Sequence, residues 1–308
     1  MKAVWIEEYG GPEVMKFGER PEPTPGPRDV VVAVKAASVN PVDWKMRQGM
    51  LRGGFELPMP YILGRDLSGV VVEVGAEVTS FKPGDEVYGL ADATRGGTFA
   101  ERVAMDAGLL APKPRSVSHV EAASLALAGA TALIALDTAE MADGERILIH
   151  AGAGGVGGFA VQLARHYDAW IAATCSAANR DYVTGLGADL AIDYKTEDFV
   201  TLVKELDLVF DTMGGEIHRR SFPVLKPAGR LVYISATPIP QGPAPVQQVI
   251  RANVRGSREV FEHIADLVDS GAIRPQVTKV LPLQEAARGL ELNKADGTRG
   301  KIVIDIAA

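Results

Sequence analysis

The chain has 308 residues, 47% hydrophobic and 23% charged, with 39 Asp plus Glu against 32 Lys plus Arg for a net charge of −7. That length suits about two domains of roughly 100–200 residues each; no apolar run is long enough to cross a bilayer, and the acidic balance argues against a nucleic-acid partner. A single cysteine, Cys175, excludes an internal disulfide framework and any metal site built from several thiolates. Together with an amino terminus that lacks the regions of a signal peptide, these features predict a soluble cytoplasmic protein with no membrane partner.

Residues 1–121 read as short β-rich runs, KAVWI, DVVVAVKAASV, LSGVVVEVG, DEVYGL and FAERVAM, divided by the turn-forming PEPTPGPR, ELPMPY and FKPGDE. Many short strands with non-helical connections predict a partly open, barrel-like β domain. A helical pattern starts near residue 119, where Ser118 and Glu121 have capping-box spacing. Beyond it strands and helices alternate, as in a parallel sheet wrapped by helices. The strand candidates are Ile147 to Ile149, then 170–175, 189–193, 206–212 and 229–235. The run GRLVYIS (229–235) is expected to be the sheet edge, and an uncovered apolar edge invites pairing with a second copy; a homodimer is the expectation. After it, TPIPQGPAPVQQ is too long for a minimal connector and reads as a lid or as slack. A helix, an extended TKVLPL, another helix and a final strand KIVIDI complete the chain.

The stretch ERILIHAGAGGVG (145–157) organises the second half. An apolar run ends in Gly152, Gly154, Gly155, Val156 and Gly157, and an amphipathic helix follows. The spacing matches a dinucleotide-binding turn, with Gly152 for the tight turn, Gly154 for close approach of a pyrophosphate and Gly157 for helix–strand packing. A helix N-terminus offers unpaired N–H groups to phosphates. A unit specific for NAD places Asp or Glu about 20 residues later, at the end of the second strand. Here that strand ends in Thr174, Cys175 and Ser176, followed by Arg180. Hydroxyls and a guanidinium suit a 2′-phosphate, so the cofactor expected is NADPH (NADP+). Arg180 reads equally as a solvated helix residue, and Tyr194, after the third strand, either completes this pocket or packs at the strand end.

The stretches ASVNPVDWKMRQG (37–49), ILGRDLSGVVVEVG (62–75), FKPGDEVYG (81–89), GGTFAERV (96–103), LALAGATALIAL (125–136) and AGAGGVG (151–157) together resemble the medium-chain dehydrogenase/reductase superfamily over essentially the whole chain. The resemblance implies an α/β fold: a Rossmann doubly wound parallel sheet plus a β-rich GroES-like catalytic domain. The implied limits are 1–121 for the catalytic domain, 122–262 for the NADPH-binding Rossmann domain, and 263–308 for a return to the catalytic domain.

The departures choose the branch. Where zinc alcohol dehydrogenases of this superfamily carry a cysteine ligand and a Gly-His-Glu run, this chain has Asn40 and Gly64, Arg65, Asp66. No metal is therefore expected, and the NPVDWK stretch resembles the zinc-independent quinone oxidoreductases and alkenal/enone reductases. By that resemblance, Asn40 lies near the nicotinamide, or is simply a turn residue before Pro41. Thr131 lies beside the nicotinamide ribose or phosphates, or packs within its helix. Ser235 and Ala236 lie against the carboxamide. Some quinone reductases carry a tyrosine four or five residues after the asparagine; Trp44 and Lys45 stand there instead. Lys45 either stabilises a developing anion or is a surface lysine. Arg65 is expected to pair with Asp43 and Asp66. The function expected is zinc-independent, NADPH-dependent reduction of a small-molecule quinone or α,β-unsaturated carbonyl. An enoyl-thioester reductase and a non-catalytic NADPH-binding protein (sensing, structural or nucleic-acid role) remain the alternatives.

Overall fold

A computed structural model describes residues 1–234, 248–295 and 298–307. In chain order the first stretch comprises β1 (Lys2–Ile6), β2 (Lys16–Glu19), β3 (Asp29–Ser38), α1 (Pro41–Arg47), β4 (Tyr61–Ile62), β5 (Asp66–Val74), β6 (Glu86–Leu90), β7 (Arg102–Asp106), β8 (Leu110–Pro112) and α2 (His119–Ala123). Next come α3 (Ala126–Thr138), β9 (Arg146–Ile149), α4 (Gly155–His166), β10 (Trp170–Cys175), α5 (Arg180–Gly185), β11 (Leu190–Asp193), α6 (Phe199–Leu202), β12 (Leu206–Asp211), α7 (Gly215–Ser221), β13 (Leu225–Tyr233) and β14 (Gln248–Arg251). The chain closes with α8 (Arg258–Asp269), β15 (Val277–Pro282), α9 (Ala286–Lys294) and β16 (Lys301–Asp305). Residues Met1–Leu127, Gly256–Gly271 and Pro275–Ala308 form one compact unit, and Ala128–Arg255 with Ala272–Arg274 form another.

The first unit is built on a seven-stranded sheet in the order β15-β16-β3-β5-β6-β8, with β7 also paired to β3, and a small sheet β2-β1-β4. β3 carries Val30, Val31, Val32 and Val34, all buried, as β-branched residues suit a strand packed on both faces. The terminal β16 lies antiparallel to β3, with Val303 opposite Ser38 and Ile304 opposite Ala37. This register carries Lys301 to the level of Asn40, and the Val39 N–H donates to Ile302 O at 2.9 Å. Ser118 caps α2 with Glu121 in a capping box. The limit expected at residue 262 falls inside α8. This helix belongs whole to the first unit, where Tyr88 Oη donates to Phe261 O at 2.5 Å.

The second unit is a six-stranded parallel sheet in the order β11-β10-β9-β12-β13-β14. Counted within the unit this is 3-2-1-4-5-6, the doubly wound order with its switch point beside the first strand. Ile147, Leu148 and Ile149 are fully buried, as a central parallel strand requires. The expected edge is corrected: β13 pairs with β14 from Arg230–Gln248 to Tyr233–Arg251, so β14 is the edge among the described residues. With only Val249 and Ile250 apolar, and little of the strand buried, β14 has no strand-like pattern to read. The TPIPQGPAPVQQ segment lies outside the described residues.

Candidate active site

At the end of β9 the chain turns through His150 and Ala151 into α4. Gly152 is not the residue in the left-handed region; Ala151 is, at φ 54°. The requirement at Gly152 is steric, since a Cβ there would lie 2.8 Å from Ala173 Cβ. A Cβ at Gly157 would lie 2.2 Å from Ala151 O, so α4 starts in close contact with the turn. Gly154 is the N-cap and brings no side chain; a Cβ there would meet only Ala151 O, at 3.4 Å. Gly154, Gly155 and Val156 are half-buried, and the first-turn N–H groups of a helix have no partner within it. The loop thus fits a pyrophosphate.

Beneath the loop lies a buried network with no sequence motif. Thr174 Oγ accepts the Ala151 N–H at 3.0 Å, and His150 sits between Thr174 Oγ (3.3 Å) and Ser221 Oγ (2.9 Å). Ser221 donates to Ile217 O at 2.8 Å, so His150 Nε2 carries the hydrogen and Nδ1 accepts from Thr174. Burial pushes the His150 pKa down to about 4, consistent with this neutral form.

At the ends of β10 and β11, the Tyr194 N–H donates to Cys175 O at 3.1 Å, which brings Tyr194 beside Ser176. Asn179 Nδ2 donates to Ser176 Oγ at 3.1 Å. The Tyr194 side chain is 50% exposed. Arg180 is held by the carboxylate of Glu197, which also accepts the Asp193 N–H at 2.7 Å. Its guanidinium is therefore half-exposed and already paired; that carboxylate follows the third strand, beyond the second-strand position where a ribose-binding acid is sought. Thr131 is buried within α3. Ser235 and Ala236 lie outside the described residues.

In the first unit, Asn40 is the N-cap of α1, with Pro41 at the first helical position. It is 3% exposed and centres a charged cluster. Its Nδ2 donates to Asp66 Oδ2 at 2.8 Å and weakly to Ser38 O at 3.4 Å; its Oδ1 accepts from Lys301 Nζ at 2.5 Å. Asp66 also accepts from Ser38 Oγ at 2.5 Å and from the Leu127 N–H at 3.0 Å. The expected Arg65 ion pairs are corrected: the cation beside Asp66 is Lys301, with Nζ 3.6 Å from Oδ2, while Arg65 Nε donates to Ala91 O. Lys45 is half-buried and makes no ion pair among the described residues, its ammonium 5.4 Å from the Trp44 ring centroid.

Asp43 accepts the Asn40 N–H on Oδ2 at 2.7 Å, while its buried Oδ1 has no hydrogen-bond partner among the described residues. Burial, helped by Asp66, pushes its carboxyl up to about 7 against the pull of the Asn40 N–H, Lys301 and Arg65. A raised folded value means that folding favours the protonated acid. The stability this group contributes is complete below its unfolded value near ~4, is lost as pH rises to about 7, and is level above. Asp43→Asn is therefore expected to remove a pH slope worth up to ~4 kcal/mol across that interval. Urea unfolding of both proteins at several pH values checks this, and parallel slopes would contradict it.

Asn40 stands where the zinc enzymes of the resemblance carry a cysteine ligand, and Arg65 and Asp66 stand where they carry the His-Glu pair. A guanidinium cannot replace an imidazole as a metal ligand, Arg65 Nε donates to Ala91 O, and the Asn40 amide oxygen already accepts from Lys301. The residues present do not fit the metal. Among the described residues, no group of three or more His, Cys, Asp or Glu side chains is arranged to hold a metal ion, and no helix is long and apolar enough to cross a membrane.

Residues 26–115 match the alcohol dehydrogenase GroES-like domain, and residues 186–304 match the family described as zinc-binding dehydrogenase. The chain is 35% identical to the 2-methylene-furan-3-one reductase of Solanum lycopersicum, over 99% of this chain and 79% of that protein. It is also 35% identical to the chloroplastic NADPH-dependent alkenal/one oxidoreductase of Arabidopsis thaliana, with the same coverage. The solved quinone oxidoreductase of Coxiella burnetii superposes with a TM-score of 0.91 at 32% identity, covering 99% of both chains. With the doubly wound sheet, the glycine turn and the GroES-like unit, these likenesses make the chain a member of the medium-chain dehydrogenase/reductase superfamily, among its quinone and alkenal/one oxidoreductases.

Proposed function

We propose that this protein is an NADPH-dependent reductase that works without zinc, on a quinone or an α,β-unsaturated carbonyl compound. The observation that supports the reading is the Asn40–Asp66–Lys301 cluster, in which the amide and the carboxylate are bonded to each other and stand beside an ammonium, with no thiolate or imidazole among them. Without a Lewis acid to lower an alcohol's pKa, the acceptor must already be electrophilic. The names of the tomato, Arabidopsis and Coxiella relatives support this acceptor class and the cofactor.

NADPH supplies the hydride when bound. In this reading the N–H groups at Gly154, Gly155, Val156 and Gly157 bind its pyrophosphate, with Gly152 shaping the turn. Ser176, Tyr194 and the outer edge of Arg180 bind the adenosine phosphate. Thr131, Ser235 and Ala236 serve the nicotinamide end. Asn40 has a loosely held Nδ2 hydrogen and donates it to the acceptor oxygen as negative charge develops there. Lys45 adds positive charge nearby, and the product takes its proton from water. A homodimer would form through β14, where Val249 is 44% exposed.

Purified protein with NADPH and a panel of quinones, enones, alkenals and enoyl thioesters is expected to show acceptor-dependent loss of reduced-nicotinamide absorbance with the first three classes, faster than with NADH. Turnover of enoyl thioesters alone would replace the acceptor class. Tight NADPH binding with no turnover on any acceptor would overturn the enzymatic reading.

A further inference from the structure

Lys301 is 4% exposed at the start of the last strand, and its part in the proposed reaction has not been assigned. An ammonium is costly to bury unless it is paired. Burial here pushes Lys301 below the ordinary lysine range, against the pull of Asp66 and Asp43. Its shortest bond is nevertheless to a neutral amide: Nζ donates to Asn40 Oδ1 at 2.5 Å and to Val39 O at 3.0 Å, and stands 3.6 Å from Asp66. Asp66 meanwhile takes its hydrogen bonds from Ser38, Asn40 and the Leu127 N–H. A lysine present only to neutralise Asp66 would sit closest to that carboxylate.

An asparagine amide has two nearly isosteric ends. An ammonium can only donate and a carboxylate can only accept, so Lys301 on one side and Asp66 on the other permit a single orientation. In that orientation the second Nδ2 hydrogen meets, among the described residues, only Ser38 O, at 3.4 Å. The geometry points to Lys301 as a positioning residue of the reductase, acting through Asn40 by fixing which end of its amide is offered to the acceptor. This rests on the role proposed for Asn40 above.

The test is a double-mutant cycle. Lys301→Met removes the charge at similar volume; if it fails to fold, Lys301→Met with Asp66→Asn removes both charges together. With NADPH and 1,4-naphthoquinone or methyl vinyl ketone, loss of Lys301 is expected to lower kcat about 10- to 100-fold at unchanged KM for NADPH. It is expected to cost nothing further in an Asn40→Ala background. Urea unfolding of the cofactor-free proteins gives a second readout, in which the two substitutions are expected to be non-additive. Equal losses of kcat in both backgrounds, or additive unfolding, overturn the inference. So does a native kcat for Lys301→Met beside a slowed Asn40→Ala enzyme. Full turnover by Asn40→Ala overturns the role of Asn40 itself, and the inference with it.

Discussion

Gly157→Ala is expected to destabilise the protein by roughly 3 kcal/mol and to weaken NADPH binding by at least about tenfold, or ~1.4 kcal/mol. A Cβ at this position would meet Ala151 O at 2.2 Å, Ala151 C at 2.8 Å and Gly152 Cα at 2.9 Å. All three are backbone atoms, so no rotamer change relieves the clash. α4 cannot retreat freely, because Phe159, Ala160 and Val161 are fully buried behind it. Ala151 is already at φ 54°, a region costly for a residue with a Cβ. Gly154→Ala is the control. Its Cβ has space, so stability should change by less than about 0.5 kcal/mol while the affinity for NADPH falls through lost approach to the phosphates. Urea unfolding and fluorescence titration measure the two effects, and a Gly157→Ala protein of native stability and affinity would contradict the argument.

The second large effect is expected at Glu291→Gln. Arg47 on α1 is fully buried; its guanidinium donates to Glu291 Oε1 on α9 at 2.7 Å and to Met15 Sδ at 3.6 Å, and its Nε has no partner among the described residues. The pair is asymmetric, since the Glu291 side chain is 40% exposed. Removing the carboxylate charge strands a buried cation, at a cost of about 3 kcal/mol after discounting the usual figure for water at the exposed partner. Arg47→Met leaves a carboxylate that water can reach, so it is expected to cost only about 1 kcal/mol. Unfolding midpoints of the two variants decide it, and a larger loss for Arg47→Met would contradict the account. The pair holds α1, which carries Asn40 and Lys45, against the C-terminal helix.

The doubly wound sheet was legible because buried parallel strands are continuous apolar runs: RILI, WIAATC and LDLVFD stand out from the helices between them. β14 was not, because an edge strand with two apolar residues has no period to detect. Asn40 could be singled out from its neighbours in sequence, but Lys301 could not, since 261 residues separate the two and only the β3–β16 register joins them. A signal was nevertheless present, as Lys301 is the one charged residue leading the otherwise apolar run KIVI. Glu197 is hidden for a related reason: a ribose-binding acid is expected at the end of the second strand, β10, whereas the partner of Arg180 follows β11. The expected pairing of Arg65 with Asp43 and Asp66 is not made, because Arg65 precedes β5 and its Nε donates to Ala91 O, while the β3–β16 register brings Lys301 to Asp66.

The central claim, hydride delivery to an electrophilic acceptor without a metal, is tested most directly by where the hydride lands. With NADPH deuterated at nicotinamide C4 and an α,β-unsaturated ketone, the account predicts a saturated ketone carrying one deuterium at the β-carbon. An allylic alcohol with deuterium on the former carbonyl carbon, the outcome of alcohol dehydrogenase chemistry, would contradict it.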